Sequence, residues 1–232
     1  MTRNPSVGAA TREAILRRAA DQASVDGLDG LSIGQLATGL GMSKSGLFAH
    51  FGSKELLQLA TVEDARTRYV DAVIVPALGR PRGIRRLDAL CESFLAYVER
   101  AVFPGGCFFA AAMAEFASKE PGPVRDKIAD CQRQWTATLE GAAVEGRERG
   151  ELTAGCEPAQ LAFELEAALL SANWYFHLHA DLGYLDRARR AVRSRLEAEA
   201  TPTGRRALPS LGRLDVSQIR AQAPERQDHH DK

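Results

Sequence analysis

The residues from Ser43 to Lys54 have the types and the spacing of a surface that contacts DNA. The segment holds two lysines, one histidine and no acidic residue. Ser43 can cap a helix that begins with Lys44 and Ser45, so positive charge, hydroxyl groups and free backbone amides meet at one helix N-terminus. Such an end favours phosphate oxygens and base edges. Gly46 adds no bulk on the same side, which allows a close approach to a major groove.

Two short helices joined by a glycine turn must hold this surface. Ser32 can cap the first helix, and Gln35, three residues later, can close a capping box. Gly41 allows the positive φ of a sharp turn, and Leu47 and Phe51, four residues apart, point inward from the second helix. The apolar face of the first helix consists of Ile33, Leu36, Ala37 and Leu40. The pattern predicts a helix-turn-helix, although an ordinary helical hairpin inside a core has the same local features.

The wider context favours the helix-turn-helix. Matching residues are dense between Thr11 and Leu57, about a fifth of the chain, and the run from Leu47 to Leu56 is the most specific part. They are Ala14, Ile15, Ala19, Ala20, Gly27, Leu31, Ser32, Ile33, Leu36, Ala37, Leu40, Gly41, Met42, Ser43, Leu47, Phe48, His50, Phe51, Ser53, Lys54, Glu55 and Leu56. Together they resemble the DNA-binding domain of the tetracycline-repressor (TetR) family of bacterial regulators.

The resemblance implies roles for individual residues. The positions that usually touch DNA phosphates are held here by Ser32, Phe48, His50 and Lys54. The positions that usually face the bases or the adjacent backbone are held by Ser43, Lys44, Ser45 and Gly46. The family commonly has tyrosine where this chain has Phe48, so a phosphate hydrogen bond from a phenol is lost. Gly34 and Gly39 lie within the first short helix and each costs up to about 1 kcal/mol relative to alanine.

The length, composition and charge of the chain limit the class of protein to which it can belong. The chain has 232 residues, of which 45% are hydrophobic, enough for a small domain and a larger one. Its formal net charge is +0, so only the local excess near Lys44 favours nucleic acid, and a dimer would double it. No apolar run approaches the roughly eighteen residues of a membrane span, and the N-terminus lacks an apolar signal segment. We therefore expect a cytoplasmic protein with no membrane partner.

The four cysteines are widely spaced and form no Cys-x-x-Cys pair. They are Cys91, Cys107, Cys131 and Cys156. This spacing indicates neither a zinc site nor a disulfide framework, and we expect small buried hydrophobic residues and no cofactor. A redox-sensing thiol is the alternative. Cys107 is its best candidate because it follows Pro104-Gly105-Gly106 and can lie near a helix N-terminus, which lowers a thiol pKa.

Helical spacing of apolar residues continues through the rest of the chain. Ser53 can cap a helix that runs toward Pro76, and a long amphipathic pattern occupies residues 124–150. Pro158 suits the first turn of a helix that is apolar on most sides, and a last stripe runs over residues 184–200. No strand-type alternation accompanies turn signals, so the chain is predicted to be all-α. The segment from Thr201 onward is rich in proline and charge and is predicted to be a flexible tail.

The C-terminal half also resembles many TetR-like regulators, more loosely. The matching phrases are Gly-Gly-Cys-Phe-Phe-Ala-Ala-Ala, Pro-Gly-Pro-Val-Arg-Asp, Gly-Glu-Leu and Glu-Pro-Ala-Gln-Leu-Ala. The resemblance implies a homodimer built from the last two long helices and an internal ligand pocket. It divides the chain into a three-helix DNA-binding domain over 1–57, a larger effector-binding and dimerisation domain over 58–200, and the tail over 201–232.

Large apolar side chains in the helices around such a pocket are candidate ligand contacts. They are Phe94, Phe108, Phe109, Met113, Trp135 and Trp174. Few charged residues fall among them, so we expect an apolar or aromatic small-molecule effector. The alternative is that these side chains fill a core.

The sequence thus predicts a transcriptional regulator, a repressor released from palindromic double-stranded operator DNA by its ligand. A constitutive DNA-binding regulator without an effector is the second possibility and would have a filled C-terminal core. An enzyme is the third. His177, His179 and Asp181 form the one compact polar cluster that suggests metal or acid–base chemistry. His177 and Asp181 are four residues apart on one helix face, but His179 would point elsewhere, and no third ligand, activated serine or phosphate loop accompanies the pair. We therefore expect no enzymatic activity.

Overall fold

The chain folds into helices throughout residues 5–209, which are the residues that the computed structural model describes. They comprise α1 (Pro5–Asp26), α2 (Ile33–Gly39), α3 (Lys44–Phe51), α4 (Lys54–Tyr69), α5 (Val75–Leu78), α6 (Ile84–Glu99), α7 (Phe108–Phe116), α8 (Pro123–Glu148), α9 (Pro158–His179), α10 (Gly183–Glu199) and α11 (Pro202–Ala207). The pairing of Leu152 with Ala200 is an isolated bridge, and no strand occurs within this range. The all-α prediction is confirmed.

The first three helices form a small unit with its own apolar centre. Ile15, Leu36 and Leu47, one from each helix, are almost completely buried. The Gln35 amide donates to Ser32 Oγ at 3.4 Å, as the cap requires. The Gln35 side chain does not close the predicted capping box, because its Oε1 accepts a hydrogen bond from Gln22 Nε2 of α1. The Gln35 side chain thus connects α2 to α1 instead of binding the N-terminus of α2.

One helical segment leads from this unit into the rest of the protein. It begins at Ser53, whose Oγ accepts the Leu56 amide at 3.1 Å, and it continues through α4. Residues Val70–Ile74 form a π-helical turn, after which α5 resumes α-helical bonding. The sequence predicts a helix toward Pro76 but not this change of winding. The segment therefore spans the distance between the predicted domains without a flexible linker.

In the larger unit α9 packs against α6, α8 and α10, α6 also packs against α8 and α10, and α8 packs against α4. Its core includes Leu87, Leu139, Leu165 and Leu196, each at most 1% exposed. The loop before α9 is fixed by Glu151, whose Oε2 accepts the Ile84 amide at 2.9 Å. The first turn of α6 is therefore capped by a residue that lies 67 positions later.

The prediction of a flexible tail from Thr201 onward is wrong for residues 202–207. Residues 202–207 form α11, and Thr201 Oγ1 caps it by accepting the Gly204 amide at 3.2 Å. Arg85 Nη1 donates to the carbonyl of Ala207 at 3.1 Å, which attaches α11 to α6. A threonine cap followed by proline at the first helical position explains a helix in this proline-rich segment. The rest of the predicted tail, residues 210–232, lies outside the described residues.

Candidate DNA-binding surface and internal cavity

The first turn of α3 carries the predicted base-contacting residues on its outer side. Ser43, Lys44 and Ser45 are exposed, and Gly46 is partly exposed. Ser43 Oγ accepts the Gly46 amide at 3.0 Å and lies 3.3 Å from Ser45 Oγ. The structure therefore brings a lysine and two hydroxyl groups together at one helix N-terminus, on a surface that no other described element covers.

The predicted phosphate-contacting residues are exposed to different degrees. The Phe48 side chain is 48% exposed, which is unusual for a large apolar ring and fits an interface position. Lys54 is exposed, and its Nζ donates to the carbonyl of Asp29 at 2.6 Å. Ser32 and His50 are partly exposed. All four predicted phosphate-contacting residues are thus at least partly open to solvent.

Arg12 of α1 contacts the C-terminal end of α3. The sequence did not predict this contact. Arg12 Nη1 donates to the carbonyl of His50 at 3.2 Å, and its guanidinium lies 4.4 Å from the centre of the Phe51 ring. The hydrogen bond occupies one of the free carbonyls at the C-terminus of α3. The residues are 38 positions apart, so no local sequence pattern indicates the contact.

Gly34 of α2 makes room for the Lys44 side chain. A Cβ at Gly34 would lie 2.9 Å from Lys44 Cε and 3.3 Å from its Nζ. The glycine that weakens α2 thus permits the observed position of the lysine. We expect Gly34→Ala to raise the free energy of unfolding by up to about 1 kcal/mol and to weaken DNA binding several-fold, because the lysine end must move. Denaturant unfolding and a DNA titration measure the two effects.

Gly39→Ala is the matched control, since Gly39 is the last residue of the same helix. A Cβ there would meet only Arg18 Nε, at 4.0 Å. This variant is expected to leave DNA affinity unchanged. Equal weakening by both alanines would contradict the role assigned to Gly34.

A cavity of about 160 Å³ lies in the larger unit and is partly open to solvent beside Arg66 and Gln134. An apolar cavity of about 150 Å³ is sufficient for a benzene-sized guest. Its lining comes from α4, the π-helical turn, α6, α7, α8 and α9. The residues are Arg66, Tyr69, Val70, Ile74, Phe94, Cys107, Phe109, Ala110, Met113, Cys131, Gln132, Gln134, Trp135, Thr138, Glu166 and Leu170.

Four of the six predicted ligand contacts line this cavity, namely Phe94, Phe109, Met113 and Trp135. The structure places the other two elsewhere. Phe108 is 1% exposed and packs against Phe103, with 5.7 Å between ring centres, so it belongs to the core. Trp174 is 50% exposed and does not line the cavity. A helix that is apolar on most sides does not reveal from its sequence which side faces the cavity.

Tyr69 is the central ring of the cavity wall and was missed. Its ring centre lies 5.5 Å from that of Trp135 and 5.8 Å from that of Phe109, both edge to face. Phe94 stacks on Trp135 at 6.2 Å. Edge-to-face and offset contacts are the favoured aromatic geometries and hold these rings in place. The cavity therefore has a preformed aromatic wall.

Charged groups also line the cavity, contrary to the expectation of an apolar lining. Arg66 donates from Nε to Glu63 Oε1 at 2.9 Å, and Lys127 Nζ lies 2.6 Å from Glu63 Oε2. The hydrogen bond from Arg66 is the largest of the effects that lower the pKa of Glu63 to about 2. The arginine charge is thus already paired. Glu166 lies in the wall and is 8% exposed.

The cysteines behave as the sequence predicts for buried residues. All four are free and buried. Cys107 and Cys131 contribute to the cavity wall. Burial is the main cause that raises the pKa of the Cys107 thiol above its ordinary value, although the thiol lies at the N-cap of α7. The geometry therefore favours a neutral thiol over the thiolate that redox sensing requires.

The cluster proposed for metal or acid–base chemistry is not assembled as a site. The His179 ring stacks on Tyr175 and Tyr184, with centres 6.1 Å and 5.4 Å apart. Asp181 Oδ1 accepts the Gly183 amide at 2.8 Å. Within residues 5–209 no group of three histidine, cysteine, aspartate or glutamate side chains could hold a metal ion. In the same range no helix is both long and apolar enough to cross a membrane.

A set of hydrogen bonds joins the small unit to the helix that lines the cavity. Glu115 of α7 accepts the amides of Leu28 and Asp29 at 2.7 Å and 2.8 Å. Lys119 Nζ pairs with Asp29 and with Glu115. Since α7 also contributes Met113 to the cavity, one nine-residue helix contacts both regions.

A second set surrounds the loop between α6 and α7. Arg68 of α4 pairs with Asp21 of α1 at 2.9 Å and also donates to the carbonyl of Val102. The Gly105 amide donates to Ser24 Oγ at 3.0 Å. We call these two sets, centred on Glu115 and on Gly105, the junction. The junction and α4 together fix the small unit on the larger one.

Two family models match the chain. The model described as "Bacterial regulatory proteins, tetR family" matches residues 15–61, and the model described as "Tetracyclin repressor-like, C-terminal domain" matches residues 83–192. Together they cover about two thirds of the chain. A comparison with curated proteins finds no match.

Solved structures share the fold. A TetR transcriptional regulator from Chloroflexus aurantiacus is 24% identical, with a TM-score of 0.78 over 84% of this chain and 98% of that one. A TetR-family regulator from Cytophaga hutchinsonii is 17% identical, with a TM-score of 0.73 over 84% and 96%. AibR, solved with isovaleryl coenzyme A and operator DNA, is 21% identical, with a TM-score of 0.59 over 77% and 96%. The protein belongs to the TetR family, whose members are DNA-binding transcription regulators.

Proposed function

We propose that the protein is a repressor that binds a palindromic operator as a homodimer and is released by a small molecule held in the cavity. The α3 surface supplies the DNA contacts through Lys44 and Ser45. The family supports DNA binding, and the solved complex of AibR with a ligand and operator DNA shows that one protein of this fold holds both.

The observation that carries the ligand-release proposal is the continuity of the helix after α3. It begins two residues beyond Phe51 and contributes Arg66, Tyr69, Val70 and Ile74 to the cavity wall. A ligand that fits the cavity better in one position of this helix than in another changes the position of α3. By linkage, such a ligand weakens DNA binding by the factor by which DNA weakens ligand binding.

The outer face of α9 supports the proposed homodimer. Phe163, Trp174, Tyr175 and Leu178 lie on this helix and are between 49% and 75% exposed. So many large apolar groups on one helix are typical of a protein interface. Packing α9 and α10 against the same helices of a second copy would bury them in a four-helix bundle. A two-fold dimer places two α3 helices about 34–36 Å apart, one turn of DNA.

The test is binding of the full-length protein to the DNA that flanks its own coding region. We expect saturable binding of two chains per duplex that weakens steeply as salt rises. Lys44→Ala combined with Ser45→Ala is expected to reduce the affinity by about 10- to 100-fold, since it removes a phosphate contact and base-edge contacts. Fluorescence anisotropy at three salt concentrations measures affinity, and sedimentation measures stoichiometry.

Glu157→Gln is a suitable control, because Glu157 is exposed at the far end of α9 and its side chain makes no capping bond. It is expected to bind DNA as the natural protein does. Unchanged affinity of the Lys44, Ser45 double variant would contradict the assigned DNA surface. One chain per duplex would contradict the homodimer.

A further inference from the structure

Glu166 is a buried carboxylate without a cationic partner. It lies in the cavity wall and is 8% exposed. Gln132 Nε2 donates to its Oε1, and Thr136 Oγ1 donates to its Oε2 at 3.1 Å. Both donors are neutral. Among residues 5–209, none of the ion pairs includes Glu166.

The cation that shares the cavity wall is engaged elsewhere. Arg66 donates from Nε and Nη2 to the same oxygen of Glu63, and Glu63 in turn pairs with Lys127. The Arg66 side chain is 38% exposed, so its charge is also in contact with solvent. The carboxylate of Glu166 in the cavity wall is therefore not paired with a cationic side chain among residues 5–209.

The aromatic wall adds a second attraction for positive charge. The rings of Tyr69, Phe94, Phe109 and Trp135 all line the cavity. The face of an aromatic ring is electron-rich and attracts a cation within about 6 Å, most strongly when water is excluded. A buried carboxylate that keeps its charge needs a partner in the same low-dielectric space. Together, the Glu166 carboxylate and the aromatic rings favour a cationic ligand over an anionic one.

We propose that the cavity takes an organic cation, an ammonium group carried on an apolar body about the size of one aromatic ring. The ammonium group lies toward Glu166, and its alkyl groups lie against Tyr69 and Trp135. This proposal rests on the proposed ligand-binding role of the cavity and narrows it from apolar molecules in general to lipophilic amines and quaternary ammonium ions. The cavity volume of about 160 Å³ sets the size of the enclosed part.

The experiment compares three probes of nearly equal size on the full-length protein: phenyltrimethylammonium, its neutral isostere tert-butylbenzene, and the anion benzoate. Titration calorimetry gives the three affinities. We expect the cation to bind at least 10-fold more tightly than the isostere and benzoate to bind most weakly. Glu166→Gln keeps the size of the side chain. Its oxygen can accept from Gln132, and its NH₂ group can donate to Thr136 Oγ1, so that this second hydrogen bond is reversed. This variant is expected to weaken cation binding at least 10-fold and to leave isostere binding unchanged.

Glu157→Gln again serves as the control, since it removes one exposed negative charge at the N-cap of α9, the helix that carries Glu166. It is expected to bind the cation as the natural protein does, and thermal unfolding of both variants checks that they fold. The proposal is overturned if the cation binds no better than the isostere, if Glu166→Gln binds it equally well, or if no probe binds. Loss of cation binding in both glutamine variants would also overturn it.

A parallel operator titration separates this proposal from the proposed function. Cation binding that depends on Glu166 and releases the operator supports both. Cation binding that depends on Glu166 without release supports the ligand class and contradicts ligand-released repression. Tight binding of the neutral isostere alone, with release, contradicts the ligand class and supports the repressor.

Discussion

Gly105→Ala is expected to lower the free energy of unfolding by about 3 kcal/mol. A Cβ at Gly105 would overlap the carbonyl group of Ser24 and would lie 2.8 Å from the amide nitrogen of Val25. These atoms belong to the backbone near the end of α1, so they cannot turn aside as a flexible side chain does. The loop must move away from α1, and the hydrogen bond from the Gly105 amide to Ser24 Oγ is then lost. Denaturant unfolding measures the change.

Gly141→Ala is the matched control for Gly105→Ala. A Cβ at Gly141, in the interior of α8, would meet nothing within 4 Å. This alanine is expected to stabilise the protein by up to about 1 kcal/mol because of its higher helix propensity. The two alanines are thus expected to change the free energy of unfolding in opposite directions, because only Gly105 packs against backbone at the junction. A change of less than 0.5 kcal/mol for Gly105→Ala would show that the loop does not depend on this close approach.

Glu115→Gln is expected to destabilise the small unit by about 2 kcal/mol. Each Glu115 oxygen accepts one backbone amide, from Leu28 and from Asp29, whereas a glutamine offers only one acceptor and places an NH₂ group against the other amide. Lys119 also loses one of its two anionic partners. Hydrogen exchange of the Leu28 and Asp29 amides measures the effect directly, and we expect about 10- to 30-fold faster exchange.

Glu120→Gln controls for the loss of one negative charge near α7. Glu120 is exposed and lies just beyond the end of that helix. It is expected to leave both amide exchange rates unchanged. Equal acceleration in both variants would assign the effect to net charge and would contradict the role of the hydrogen bonds from Leu28 and Asp29.

The helix starts were predictable because their causes are local. Ser32, Ser43 and Ser53 each cap a helix through the amide three residues later, as the sequence predicts. The inward direction of Leu47 and Phe51 follows from helical spacing alone, and both are buried. The starts of α2, α3 and α4 can therefore be predicted from the sequence, and so can the N-terminal turn of α3.

The cavity was only partly predictable, because its walls come from distant parts of the chain. In the sequence, Tyr69 is one more apolar position of a long helix, and Glu166 has the pattern of a charged residue on a helix surface. Both become cavity residues only once α4 and α9 pack beside α8. Trp174 illustrates the opposite error, since it is half exposed and does not line the cavity. The charge in the cavity was thus invisible in the sequence.

The π-helical turn at Val70–Ile74 explains an irregular spacing in the buried side of its helix. The buried positions Ala65, Tyr69, Val73 and Ala77 are each four residues apart. In a regular α-helix every such step turns the side chain about 40° further round the axis, so three steps would carry it about 120° away. The wider turn absorbs this drift.

Without the exposed residue Asp71 the spacing would become four, three and four, which a regular α-helix accommodates. The turn therefore holds one residue more than the packing of this helix needs. A relative that is one residue shorter at this point can keep the same core. Alignments of such chains should place a single gap between Val70 and Ile74.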